Sequence, residues 1–170
     1  MTIYLVVPLL VIVAILQASV ISHLSVWGVF ADLPLLVVVS WSLLRGVREG
    51  VLWGFIGGVA VDLLSGAPFG AATLSMMLVG ALAGLGKTSV FRTHIVFPVL
   101  AMFLATVVYD LVFLVIVWLS GSPNLGPALW LGSLVRIILP SALMNAVLMP
   151  LIFVMVRMLN NRFGQEEMEW

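Results

Sequence analysis

IVFPVLAMFLATVVYDLVFLVIVWL, residues 95–119, contains one acid, Asp110, and no base. A run this long and this apolar reads as a helix that crosses a bilayer, for which about 20 residues are needed. Its surroundings are alike: 64% of the chain is apolar, 8% is charged, and the mean hydropathy is +1.30. A soluble domain does not have this balance, so lipid is the solvent. Hydrocarbon leaves backbone N–H and C=O groups unsatisfied unless the chain pairs them itself, which restricts spanning elements to helices or a closed barrel. The unbroken apolar runs select helices.

Outward from that run, helices are predicted at about residues 3–21, 33–44, 50–64, 73–86, 95–119 and 129–159. The fold class is therefore all-α, a polytopic membrane protein of about six transmembrane helices forming one domain over residues 1–170. The second and third helices are short; each either extends to about 15 residues or joins the other in a hairpin that does not fully cross. The first run lacks a basic leader and a small-residue cleavage site, and is expected to stay as the first helix. Pro34 and Pro98 fall in first turns, where a missing N–H is harmless, whereas Pro140 is predicted to bend the last helix by removing the bond to the carbonyl of Arg136.

Basic residues orient the bundle. With six crossings, Arg45, Arg48, Lys87, Arg92, Arg157 and Arg162 fall on one side, while the loops around Ser25, Ala67 and Asn124 hold no base. Cytoplasmic loops are enriched in Lys and Arg, so both termini are expected in the cytoplasm. Trp27, Trp41, Trp53, Trp118 and Trp130 mostly fall near predicted span ends and read as interfacial anchors. The tail, residues 160–170, reads as a solvated end or a small docking segment.

Gly46, Gly50, Gly54 and Gly58 recur every four residues, with Asp62 one step further. Such spacing makes one smooth helix face that another backbone can approach closely. It serves either packing within the chain or docking of a partner. Gly80 with Gly84, and Ala14 with Ala18, offer similar stripes. Asp62, Asp110 and Arg136 are ionisable residues inside predicted spans, where each costs at least about 2.5–3.5 kcal/mol without a partner or water. All three are placed in the outer half, where one arginine facing one or both aspartates would satisfy them. The alternatives are a polar pocket, a partner-facing site or a proton relay.

No catalytic centre is expected. Cysteine is absent, His23 and His94 lie on opposite sides and cannot share a metal, and neither GxSxG nor HExxH occurs. The segment ALAGLGKT, residues 81–88, approaches the phosphate-binding pattern GxxxxGK[ST], but Ala81 replaces the first glycine and a membrane helix replaces the required strand and loop. Gly86 as a helix stop and Lys87 as an anchor account for it. No cofactor, metal or nucleic acid is implied.

The run Ala31-Asp32-Leu33-Pro34-Leu35, then Gly46, Gly50, Gly54-Phe55-Ile56-Gly57-Gly58, Val61-Asp62-Leu63-Leu64-Ser65-Gly66 and Phe69-Gly70, closely resembles the MreD family of bacterial rod-shape-determining membrane proteins. The specific part covers about residues 32–86; Ala31 stands where the family usually has proline. The resemblance implies a non-enzymatic inner-membrane scaffold or regulator of the elongasome. Its partners would be MreC, the actin-like MreB indirectly, and the glycosyltransferase and transpeptidase of lateral peptidoglycan synthesis, with homo-oligomers also open. The family is similar in design to the S components of energy-coupling-factor vitamin transporters. That supplies the alternative, an outward pocket for a small molecule, although the outer loops are poor in polar residues.

The charge bias makes a direct prediction: reporters fused after Asn124 read outside, and those fused after Arg92 or Trp170 read inside. An outside reading at Trp170 contradicts six crossings.

Overall fold

The computed structural model describes residues 2–19, 31–86, 96–121 and 137–163. Within them are six helices: α1 (Thr2–Ser19), α2 (Leu33–Arg45), α3 (Val47–Ser65), α4 (Ala71–Leu85), α5 (Val96–Leu119) and α6 (Leu139–Phe163). The protein is all-helical and polytopic, with α5 and α6 each long and apolar enough to cross a membrane unaided. Large apolar side chains face outward on every helix but α2: Ile12, Leu63, Leu74, Leu100 and Val147 are all more than half exposed. That pattern suits a hydrocarbon surround, where exposed leucine has no cost.

The shortest helix is the central one. α2 has 13 residues, and every residue from Pro34 to Leu44 is buried. At 1.5 Å per residue it spans about 20 Å, less than the roughly 30 Å of hydrocarbon. It needs no contact with lipid because it packs on all five other helices. Local chemistry sets its ends. The Asp32 carboxylate accepts the Leu35 N–H at 3.0 Å, Pro34 sits in the first turn as predicted, and Gly46 stops the helix with φ of 99°. α3 is longer than the sequence suggested, starting at Val47 and running 19 residues.

Gly46 is thus not a helical member of the glycine stripe but the turn between α2 and α3. It still faces the same neighbour. α3 and α4 run antiparallel with their backbones in contact, and each step of four along α3 meets a step of four back along α4. Gly46 and Val47 lie on Gly84, Gly50 on Gly80, Gly54 on Met76, and Gly58 on Ala72 and Thr73. A Cβ added at Gly54 would stand 2.5 Å from the Met76 carbonyl oxygen, and one at Gly84 would stand 2.5 Å from Val47 Cα. The stripe is covered along its length by the chain's own α4.

At the other helices proline marks departures from the sequence reading. Pro140 is the second residue of α6 as described, directly after a wide helical turn at residues 137–138; residues 129–136, where the sequence reading starts this helix, lie outside the described residues. Pro8 and Pro150, which the sequence reading passed over, sit inside α1 and α6.

Substitutions should follow this geometry. Gly50→Ala and Gly80→Ala push a methyl into backbone that has nowhere to go and should cost at least about 1–3 kcal/mol. Gly57→Ala meets only side chains, Val38 Cγ2 at 3.3 Å and Leu10 Cδ2 at 3.5 Å. Its gain of about 1 kcal/mol in helix propensity should roughly offset the squeeze. Thermal unfolding in mild detergent checks the contrast; equal losses at Gly50 and Gly57 contradict it.

Candidate functional site

The α3–α4 register brings Asp62 to the start of α4. The tight return through Gly66 and Gly70, both with positive φ, folds the chain back so that the carboxylate meets four donors. Asp62 Oδ1 accepts the Ala72 N–H at 2.9 Å, and Oδ2 accepts the N–H groups of Gly70 and Thr73 at 3.0 Å and the Thr73 hydroxyl at 2.5 Å. Asp62 is 5% exposed. A carboxylate so placed satisfies the orphan donors of a helix N-terminus and sits at the positive end of its dipole.

A second polar group gathers at the start of α2, the Asp32 end of the bundle. The Asp32 N–H donates to Asn145 Oδ1 on α6 at 2.9 Å, and the Leu33 N–H donates to Gln17 Oε1 on α1 at 2.7 Å. Asn145 Nδ2 donates in turn to Thr106 Oγ1 on α5 at 3.3 Å, and that hydroxyl donates to the Met102 carbonyl at 3.0 Å. One turn further along the α5–α6 contact, the Ser141 hydroxyl shares its proton between Asp110 Oδ2 at 3.0 Å and the Ile138 carbonyl at 3.1 Å. The amide of Asn145 therefore ties α2 to α5 and α6. Asn145 is fully buried.

Of the predicted trio, Asp62 bonds to donors at the start of α4 and Asp110 to Ser141 on α6; Arg136 lies outside the described residues. Gln17, Asp32 and Asn145 were not singled out as a site from sequence. The available signals were a lone asparagine in an apolar helix and an aspartate just before Leu-Pro.

At the Arg45 end, the sequence reading of the tryptophans needs correction. Trp41 and Trp53 are not interfacial anchors: they are 3% and 1% exposed and meet edge to face with centroids 6.3 Å apart. Both indole N–H groups donate to Glu49 Oε2, at 2.9 and 3.4 Å. A buried indole needs such an acceptor. Glu49 also pairs with Arg45 at 3.7 Å, and Arg45 Nε donates to Asn160 Oδ1 near the end of α6 at 2.6 Å. Trp118 is half exposed, while Trp27 and Trp130 lie outside the described residues.

Other candidates resolve by position. Residues 81–85 are the last turn of α4, and Gly86 closes it through a bond to the Ala83 carbonyl, so no phosphate-cradling loop exists there. His23, His94 and Lys87 lie outside the described residues. Among the described residues, no three His, Asp or Glu side chains converge as a metal would require. A cavity of about 300 Å³ opens between α4 and α5, and the described residues that line it are apolar. Those residues offer none of the orienting polar groups that a vitamin site needs.

Stripping the Asp62 carboxylate strands several donors at once, each costing about 1–3 kcal/mol. Asp62→Ala should therefore lower folded yield and thermal stability far more than Asp110→Asn, whose amide oxygen still accepts from Ser141. Equal losses would point back to one charge cluster spanning both aspartates.

No solved structure matches this chain. The family model for rod shape-determining protein MreD matches residues 1–163. That family is non-enzymatic. The six-helix apolar bundle and a match running from α1 through the end of α6 agree, and the chain belongs to the MreD family, with a role in rod shape determination.

Proposed function

We propose that this protein is a scaffold of the wall-elongation machinery, a single transmembrane domain over residues 1–170 in the bacterial cytoplasmic membrane, with both termini in the cytoplasm. It binds the membrane helix of MreC and through it the glycosyltransferase and transpeptidase of lateral wall synthesis, with MreB engaged indirectly. The family match over residues 1–163 carries this reading. The apolar exterior supports it, because a partner helix reaches only what faces lipid.

The docking surface follows from what is already occupied. Gly46, Gly50, Gly54 and Gly58 face α4 and have no room for a second helix. The two long helices, in contrast, present broad outward faces. On α6, Val147, Leu151 and Met158 are 77%, 69% and 63% exposed and lie on one side at helical spacing. We assign MreC to the outward side of α5 and α6.

Co-purification tests this assignment. Val147→Trp or Leu151→Trp should leave abundance unchanged, lower recovered MreC several-fold per unit of this protein, and round rod-shaped host cells. Gly54→Leu should lower abundance with the MreC ratio unchanged. A reduced ratio for Gly54→Leu alone overturns the assignment and returns docking to the stripe.

A further inference from the structure

The α4–α5 cavity is a groove confined to one half of the bundle. Its walls come from the last half of α4, from Val79 to Gly86, and the first half of α5, from Phe97 to Val108, with Leu43 near the end of α2 as its floor. Among the described residues no polar side chain lines it. Leu82, Leu100 and Leu104 form open rims at 48%, 55% and 55% exposure, while Ala83, Ala101 and Ala105 leave the depth between them.

Two dimensions identify what fills it. Phe97 to Val108 advances roughly 16 Å along α5 at 1.5 Å per residue, which is about one leaflet of a hydrocarbon core roughly 30 Å thick. A spanning partner helix would run on past Val108. The volume, about 300 Å³, suits one slender apolar chain. Water has no partners in such a space, and an unfilled gap would forfeit dispersion contacts along both walls.

We propose that the α4–α5 groove seats one phospholipid acyl chain from the leaflet on the side of Gly86 and Phe97. The chain lies between the leucine rims and takes the place of side chains that the alanines do not supply, adding to the direct contact between α4 and α5. This inference rests on the membrane setting and the groove, and requires that MreC dock on the outward faces of α5 and α6 without filling the groove.

The test uses the full-length protein in vesicles of phosphatidylethanolamine and phosphatidylglycerol, doped with a phospholipid bearing a photoactivatable diazirine in its acyl chain. Sites of labelling are read by mass spectrometry. Free lipid labels in proportion to exposure, which would favour Val147 and Leu151 over the groove. A seated chain should instead label Leu82, Leu100 and Leu104 several-fold more than those two α6 positions. Ala101→Phe should bring the rim labelling down to the α6 level while α6 labelling stays unchanged, which also reports that the variant is folded. Rim labelling no higher than α6 in the unaltered protein overturns the proposal. So does loss of the rim signal when MreC shares the vesicle, since the groove would then hold a protein helix.

Discussion

The bundle depends on backbone meeting backbone between α3 and α4. In lipid there is no hydrophobic gain from pressing one apolar helix on another, so association must come from close van der Waals contact and from polar groups that have no better partner. Glycine at Gly50, Gly54, Gly58, Gly80 and Gly84 removes every side chain that would hold the axes apart. The close approach fixes the register as well, because a sliding of α3 by one residue would drive side chains into the opposing backbone. Register in turn sets Asp62 opposite the start of α4.

The same solution recurs at the other short helix. α2 and α4 have 13 and 15 residues, too few to carry their N-termini clear of the hydrocarbon. Their first N–H groups would be stranded in an apolar medium. Each is met by side-chain oxygens: Asp62 and its four donors at α4, and Asp32, Gln17 and Asn145 at α2. Asp32 and Asp62 are thereby engaged at helix ends. At the opposite end, Glu49 performs the matching task for two indoles and Arg45.

Much of this was legible in the sequence, for physical reasons that differ by element. Hydropathy alone gave α5 to within one residue, since a 24-residue apolar run in lipid admits no other structure. The spacing of glycines marked a close contact, and Gly80 with Gly84 supplied its counterpart, but periodicity does not say which two stripes meet. Asp62 was recognised as needing a partner, yet its partners are main-chain N–H groups contributed by a turn, which no side-chain pattern displays. Trp41 and Trp53 were misplaced because nearness to a span end is a statement about depth; whether a ring faces lipid or core depends on neighbours, here on Glu49 at the right turn of α3. Asn145 was overlooked because its acceptor role arises only when α6 crosses the start of α2.

This member of the MreD family joins a closely packed α3–α4 interior to large apolar side chains that face outward. The claim beneath that account is that the glycine stripe is closed within one chain. Solid-state NMR of the protein in bilayers tests it directly, through carbon–carbon cross-peaks from backbone Gly50 to Gly80, in samples with glycine labelled in only a minority of molecules. The account predicts that this cross-peak persists at full relative intensity on dilution with unlabelled protein. Its absence, or its loss on dilution, would contradict the account and place the stripe at an interface between chains.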